Sequence, residues 1–151
     1  MAYLDGEAEF SDAQAVTATA ISANVIDLLA AQGGGSAITA DVTTSLPAGL
    51  RLNVEAAATF TGTGTLAVQL VSATDPALVA GAVVHFTSGA VVGNTVLAGA
   101  KLLDCGIPPG AYKRYLGLRF VVSGTASGSV NAYLAVGTSS LRPYRGNFKV
   151  T

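Results

Sequence analysis

Cysteine occurs once in this chain of 151 residues, histidine once, methionine once and tryptophan not at all. Each shortage removes a class of function. A lone Cys105 cannot form an internal disulfide, so nothing calls for an oxidising compartment, and synthesis in a reducing cytoplasm is expected. A zinc site takes three or four ligands, which one His and one Cys cannot supply without carboxylates. A Ser-His-Asp or Cys-His arrangement would rest on His85 alone, in the strand-like run Val83-Val84-His85-Phe86, and a structural histidine is the plainer reading. Cys105 has no base close in sequence, so an inert, half-buried thiol is expected. A metal-binding cupin, a catalytic jelly roll, needs a histidine cluster that is missing. No enzyme, no cofactor and no metal are expected.

Charge is also scarce, at 11% of residues against the usual ~25%. A surface so poor in charge suits a protein that spends its life against other protein. The net charge of -1 offers no basic balance for a phosphate backbone, so no nucleic-acid partner is expected. The distribution is lopsided. Residues 1–100 hold eight acids and one base, Arg51, giving -7, whereas residues 101–151 hold one acid, Asp104, and seven bases, giving +6. The uncharged stretch 76–100 is long enough to cross a bilayer, but Pro76, His85, Asn94 and four glycines make it too polar for a membrane helix. The opening MAYLDGEAEF places acids where a signal peptide needs bases and an apolar run. A soluble protein with no membrane partner is expected.

What the chain has in plenty is alanine, valine, threonine and 18 glycines, the composition of short strands joined by tight turns. Leu50, Leu52, Val54 and Ala56 alternate with Arg51, Asn53 and Glu55, as in a strand with one wet face. Leu66, Val68 and Leu70 repeat the pattern after the Gly62-Thr-Gly64 turn. That turn resembles a phosphate loop only superficially, because a strand pattern follows it and no helix N-terminus is there to hold an anion. Further β-rich segments are read at Gln14–Ile21, Asn24–Leu29, Leu78–Phe86 and Ala90–Leu97, with a loop at Gly33-Gly34-Gly35 and a break at Gly106-Ile-Pro-Pro-Gly110. Leu116, Leu118, Phe120 and Val122 share one face. After a turn at Ser123–Gly128, Val130, Ala132, Leu134 and Val136 return inward, which reads as a hairpin.

No segment sustains helical spacing over three turns. Seven to nine short strands predict an all-β fold, a jelly-roll-like sandwich of antiparallel strands, spanning residues 13–138. An extended arm is expected over residues 1–12 and a tail over 139–151. In the arm, Asp5, Glu7 and Glu9 fall on one side of an extended chain beside Phe10. The row suits a solvated arm, an arm docked on a neighbouring subunit, or calcium, although calcium loops usually wrap the ion and add carbonyl ligands. In the tail, Arg142, Tyr144, Arg145, Phe148 and Lys149 combine the arginine and aromatic residues favoured at interfaces, with a frayed terminus as the alternative. These nine residues are the candidate contact set.

Phe10-Ser-Asp-Ala-Gln-Ala-Val-Thr-Ala-Thr-Ala20, followed by Ser22-Ala-Asn-Val-Ile-Asp-Leu28, resembles the opening of the Bordetella-phage-type (Bbp16-like) capsid cement proteins. Lys113-Arg-Tyr-Leu-Gly-Leu-Arg-Phe-Val-Val-Ser-Gly-Thr125, leading into Gly128-Ser-Val-Asn-Ala-Tyr-Leu134, looks like the closing hairpin of that family. The tail 141–151 extends past the pattern, and the middle from Gly33 to Leu103 matches none of its motifs. The resemblance implies a jelly-roll decoration protein on the outer surface of a phage capsid. Its implied partners are the major capsid protein, whose neighbouring subunits it clamps, and itself, as a dimer or trimer. It implies no chemistry. The acidic arm and basic tail are of opposite sign and are expected to pair across subunits. A second class of function is a carbohydrate- or receptor-binding β-module of a phage particle. With no Trp, Tyr112 and Tyr115 are its best aromatic platforms.

Overall fold

A computed structural model describes residues 9–28, 50–108 and 111–136. Among these, ten strands form two antiparallel sheets. The first has the order β1 (Glu9–Val16), β10 (Ser127–Val136), β4 (Leu50–Thr61), β8 (Lys101–Gly106). The second is centred on β9 (Tyr115–Ser123) and β5 (Thr65–Ala73). The two-residue strands β2 (Ala20–Ile21) and β3 (Ile26–Asp27) share the free side of β9, while β6 (Val83–Thr87) and β7 (Val91–Val92) share that of β5. Ten strands thus fill eight positions, four to a sheet. Only the step from β5 to β6 joins neighbours in one sheet; the other connections between successive positions pass from one sheet to the other. That order is a jelly roll.

Period-2 alternation decides which residues fill the core. Leu52, Val54 and Ala56 of β4, Leu66, Val68 and Leu70 of β5, Leu116, Leu118 and Phe120 of β9, and Val130, Ala132 and Leu134 of β10 all point between the sheets, each no more than 9% exposed. Among the described residues, Phe10, Phe60 and Phe120 are the bulkiest of the side chains less than 2% exposed. Among the described residues, no buried side-chain N or O lacks a hydrogen-bond partner.

Three expectations change. The run 115–136 is not a hairpin: β9 and β10 lie in opposite sheets, and Gly124-Thr125-Ala126 arches between them, with Gly124 at φ +75°. The connection Gly62–Gly64 between β4 and β5 is a second arch. The two arches pack together through Gly64 N–H donating to Thr125 O (2.8 Å). Strands at Leu78–Phe86 and Ala90–Leu97 shrink to β6 and β7. Residues 75–82 form a turn held by the Asp75 carboxylate, and Gly93–Thr95 is a 3-10 turn tied back by Asn94 N–H to Gly62 O (2.8 Å). The arm is shorter than expected, because residues 9–12 already belong to β1 and pair with β10. The remainder of the arm and the tail 139–151 lie outside the described residues.

Candidate functional site

Of the nine candidate contact residues, Asp5, Glu7, Arg142, Tyr144, Arg145, Phe148 and Lys149 lie outside the described residues. Glu9 is half-buried at the start of β1, opposite Tyr133. Phe10 must be corrected: it is 0% exposed, in the hydrophobic core between the sheets, and is not free to touch another subunit. A large aromatic at the sheet's edge is stabilised more by its own core than by water, and the burial of its neighbour Ser11 carries the chain inward with it.

The residues of the opening motif work inside the fold. Gln14 accepts hydrogen bonds from Ser11 Oγ (2.6 Å) and Ala23 N–H (2.8 Å), and its Nε2 donates to Ile21 O (2.8 Å). One amide thus ties β1 to the corner that enters the second sheet. Ser22 Oγ donates to Asn24 O (2.8 Å) and accepts Leu118 N–H (3.1 Å), fastening that corner to β9. Asn24 N–H donates to Phe10 O (2.8 Å). Asp27 takes a bidentate grip from Arg114, at 3.0 and 2.8 Å. That hydrogen bond, more than the charge attraction, raises the Arg114 pKa above its ordinary value. In this way the motif locks the crossing from β1 through β2 and β3 onto β9.

The one histidine sits where β6 bulges. Phe86 pairs with Leu70 and Val84 with Val71, so His85 falls at the register shift between them. A bulge re-aims the side chain of an edge strand. His85 stacks on Tyr112, with ring centroids 4.0 Å apart, and its Nε2 shares a 2.7 Å hydrogen bond with Ser72 Oγ. Ser72 Oγ also accepts Lys113 N–H (3.0 Å), and the Tyr112 hydroxyl donates to Pro108 O. Burial lowers the His85 pKa and pushes the Tyr112 phenol up to about 12. It also raises Cys105, keeping the thiol protonated at neutral pH. Ser72 is 0% exposed, so no substrate reaches its hydroxyl, and the cluster serves to fasten β6 to the 111–113 segment. Among the described residues, no three His, Cys, Asp or Glu side chains gather to hold a metal ion.

The two tyrosines considered as sugar platforms are occupied elsewhere. Tyr112 is 2% exposed, and Arg114 covers the half-buried Tyr115 ring at 4.9 Å. Surface charge is also paired internally: Asp104 holds Arg51 of β4 at 2.6 Å and Lys101 of its own strand at 3.4 Å. The Arg51 hydrogen bond is the main reason the Asp104 carboxyl lies below its usual range. Sequence reasoning missed the exposed apolar side chains Val79, Val83 and Val84, which follow β5 and form the start of edge strand β6. Their run reads as one buried-looking β segment. The only signal available was the lack of any charge from Pro76 to Ala100.

No curated protein matches the chain. The Bbp16 family model matches residues 10–134, from the second residue of β1 to near the end of β10. The described residues between those limits are the strands and motif staples set out above. The chain belongs to the Bbp16 family and is a phage-related protein.

Proposed function

We propose that the protein is a capsid cement, or decoration, protein: it binds the outside of an assembled phage head and clamps adjacent major capsid protein subunits. The observation that carries this reading is the extent of the family match. The match runs from the second residue of β1 to near the end of β10, so it takes in all ten described strands and not one isolated motif. The chemistry of the described residues supports it. The single histidine, the buried serine and the motif polar groups are all engaged in holding strands together, which suits a structural part and not an enzyme.

The physical mechanism is mechanical. A pressurised shell fails where capsomers separate, and a rigid sandwich seated across such a junction must be peeled away first. One contact of ordinary size, about 800 Å² per partner, gives modest affinity. A homo-oligomer touching several subunits gains through effective concentration. The acidic N-terminal residues Asp5, Glu7 and Glu9 and the basic C-terminal group Arg142, Arg145 and Lys149 have opposite charge, and pairing between subunits would close that oligomer. No nucleic acid and no membrane takes part.

The test is sedimentation of purified protein with expanded and unexpanded heads that lack it. Co-sedimentation at a fixed ratio to the major capsid protein, together with a higher rupture temperature, is expected. Recovery in the supernatant with both kinds of head would end the reading.

A further inference from the structure

The cluster around His85 has one consistent arrangement of protons. Ser72 Oγ accepts the Lys113 N–H at 3.0 Å and meets His85 Nε2 at 2.7 Å. Among the described residues these are the hydroxyl's two partners, and Ser72 is 0% exposed. A hydroxyl has one proton to give, so it goes to Nε2, and the neutral ring carries its own proton on Nδ1. With the proton on Nε2 instead, Ser72 would face two donors. Its own proton would then be buried without an acceptor, at the full cost of desolvation.

An imidazolium donates from both nitrogens. Protonation of His85 therefore sets two donors against each other at Ser72, and the bond to Nε2 is lost. The surroundings do little to hold the cation. Strand β5 carries no ionisable side chain. The 111–113 segment brings Tyr112, which stacks on the imidazole, and Lys113, whose ammonium donates to Gly81 O. Beside Tyr112 lies the protonated thiol of Cys105. In the turn before β6, Asp75 accepts the N–H groups of Val79 and Ala80. Lys113 and Asp75 keep their charges, yet burial is what lowers the His85 pKa. The face of the Tyr112 ring attracts a cation but offers it no hydrogen bond.

Strand β6 is the element least tied to the core. It ends its sheet and pairs with β5 alone, and the register shift at His85 interrupts that ladder. Val83 and Val84 are 40 and 43% exposed, so little apolar burial is lost when the strand leaves. Local opening begins in such elements.

The geometry points to an acid-operated latch: neutral His85 fastens edge strand β6 to Ser72 and the 111–113 segment, and its protonation releases β6 reversibly from the sandwich. Detached, β6 leaves Gln69–Ser72 of β5 without a partner strand, an edge to which another strand can add. The latch does not depend on the cement reading.

Nuclear magnetic resonance of the full chain, without a histidine tag, tests it, because one histidine gives one imidazole signal. At pH 8 the ring proton is expected on Nδ1; finding it on Nε2 overturns the latch. Between pH 7.5 and 5, amide exchange of residues 83–88 and Lys113, corrected for its intrinsic pH dependence, should accelerate by roughly 5- to 30-fold. The ceiling is set by a released His85 with the ordinary pKa of 6.5. Strands β4 and β10 should keep their protection, and equal acceleration there would mean global unfolding instead of a latch. His85→Gln, whose amide oxygen accepts the Ser72 proton at every pH, should show no acceleration; the wild-type response in this variant would assign the effect to another group. In Ser72→Ala, with the fold verified by melting, the ring loses the donor that favours its neutral form, so His85 should titrate at higher pH than in wild type. An unchanged midpoint would leave Ser72 no part in it and overturn the proposal.

Discussion

Adding one methyl group at Gly64 tests the arches that set the topology. A Cβ there would lie 2.5 Å from Ser123 O, 2.6 Å from Thr125 N and 2.7 Å from Thr125 C, all backbone atoms of the neighbouring arch. Backbone cannot swing aside as the end of a side chain can, so the arches must separate. Overpacking of this kind costs about 1–3 kcal/mol. Separation also threatens two hydrogen bonds, Gly64 N–H to Thr125 O and Gly93 N–H to Gly64 O, both 2.8 Å, at about 1 kcal/mol each. Gly64→Ala should therefore cost roughly 3–5 kcal/mol, a large part of the about 5–15 kcal/mol that holds a domain folded. At about 2–4 °C per kcal/mol, the melting temperature falls by roughly 10 °C. Gly89→Ala is the control, since nothing lies within 4 Å of its Cβ; it should be neutral or gain up to about 1 kcal/mol through the unfolded chain. Urea unfolding followed by circular dichroism, with the m-value checked for constancy, reads both. Were β4–β5 and β9–β10 simple hairpins, Gly64 would not face the other connection. A Gly64→Ala midpoint equal to that of Gly89→Ala would refute the packed arches.

Three further outcomes are expected. Gln14→Met removes three hydrogen bonds, to Ser11, Ile21 and Ala23, and should cost about 2–3 kcal/mol in thermal unfolding; a loss under about 0.5 kcal/mol would mean that the opening motif does not staple the fold. His85 has its folded pKa lowered by burial from 6.5, so the unfolded chain takes up the proton first. Stability should then rise with pH through the window just below 6.5 and fall on acidification. As the only histidine is involved, His85→Gln should flatten that slope in urea midpoints taken between pH 5 and 8, and an unchanged slope would assign it elsewhere. Tyr112, pushed up to about 12 by burial, stabilises the fold below the ordinary tyrosine pKa near 10, and that contribution is lost as pH rises through about 12. Ultraviolet titration should show one phenol still protonated past pH 11, absent in Tyr112→Phe.

Much of the fold was legible because side-chain alternation along a strand is a local property. Leu52, Val54 and Ala56 of β4, or Leu116, Leu118 and Phe120 of β9, needed no partner strand to be identified as inward-facing. The opening motif was legible as a family mark, yet its work was not. That Gln14 reaches Ile21 and Ala23 depends on the chain turning a corner that its residues do not announce. Phe10 shows the same gap: beside three acids it reads as part of a free arm, whereas the pairing of β1 with β10 carries it into the core.

The sequence by itself determined the all-β class, the alternating core faces, the absence of a disulfide framework and the membership of a family. Each follows from composition, local periodicity or a motif. Only the tertiary structure decided which strands are neighbours. A three-residue, glycine-containing connection such as Gly62–Gly64 or Gly124–Ala126 can close a hairpin within one sheet or an arch between two. The choice depends on whether the buried faces of its two strands look the same way or at each other, which involves contacts as distant as Gly64 with Thr125. The same holds for the turn that follows β5. Leu78 and Val79 are consecutive apolar residues with near-equal claims on the core, and the Asp75 carboxylate, the Arg119 guanidinium and the left-handed turn at Leu78 send one inward and the other out to solvent.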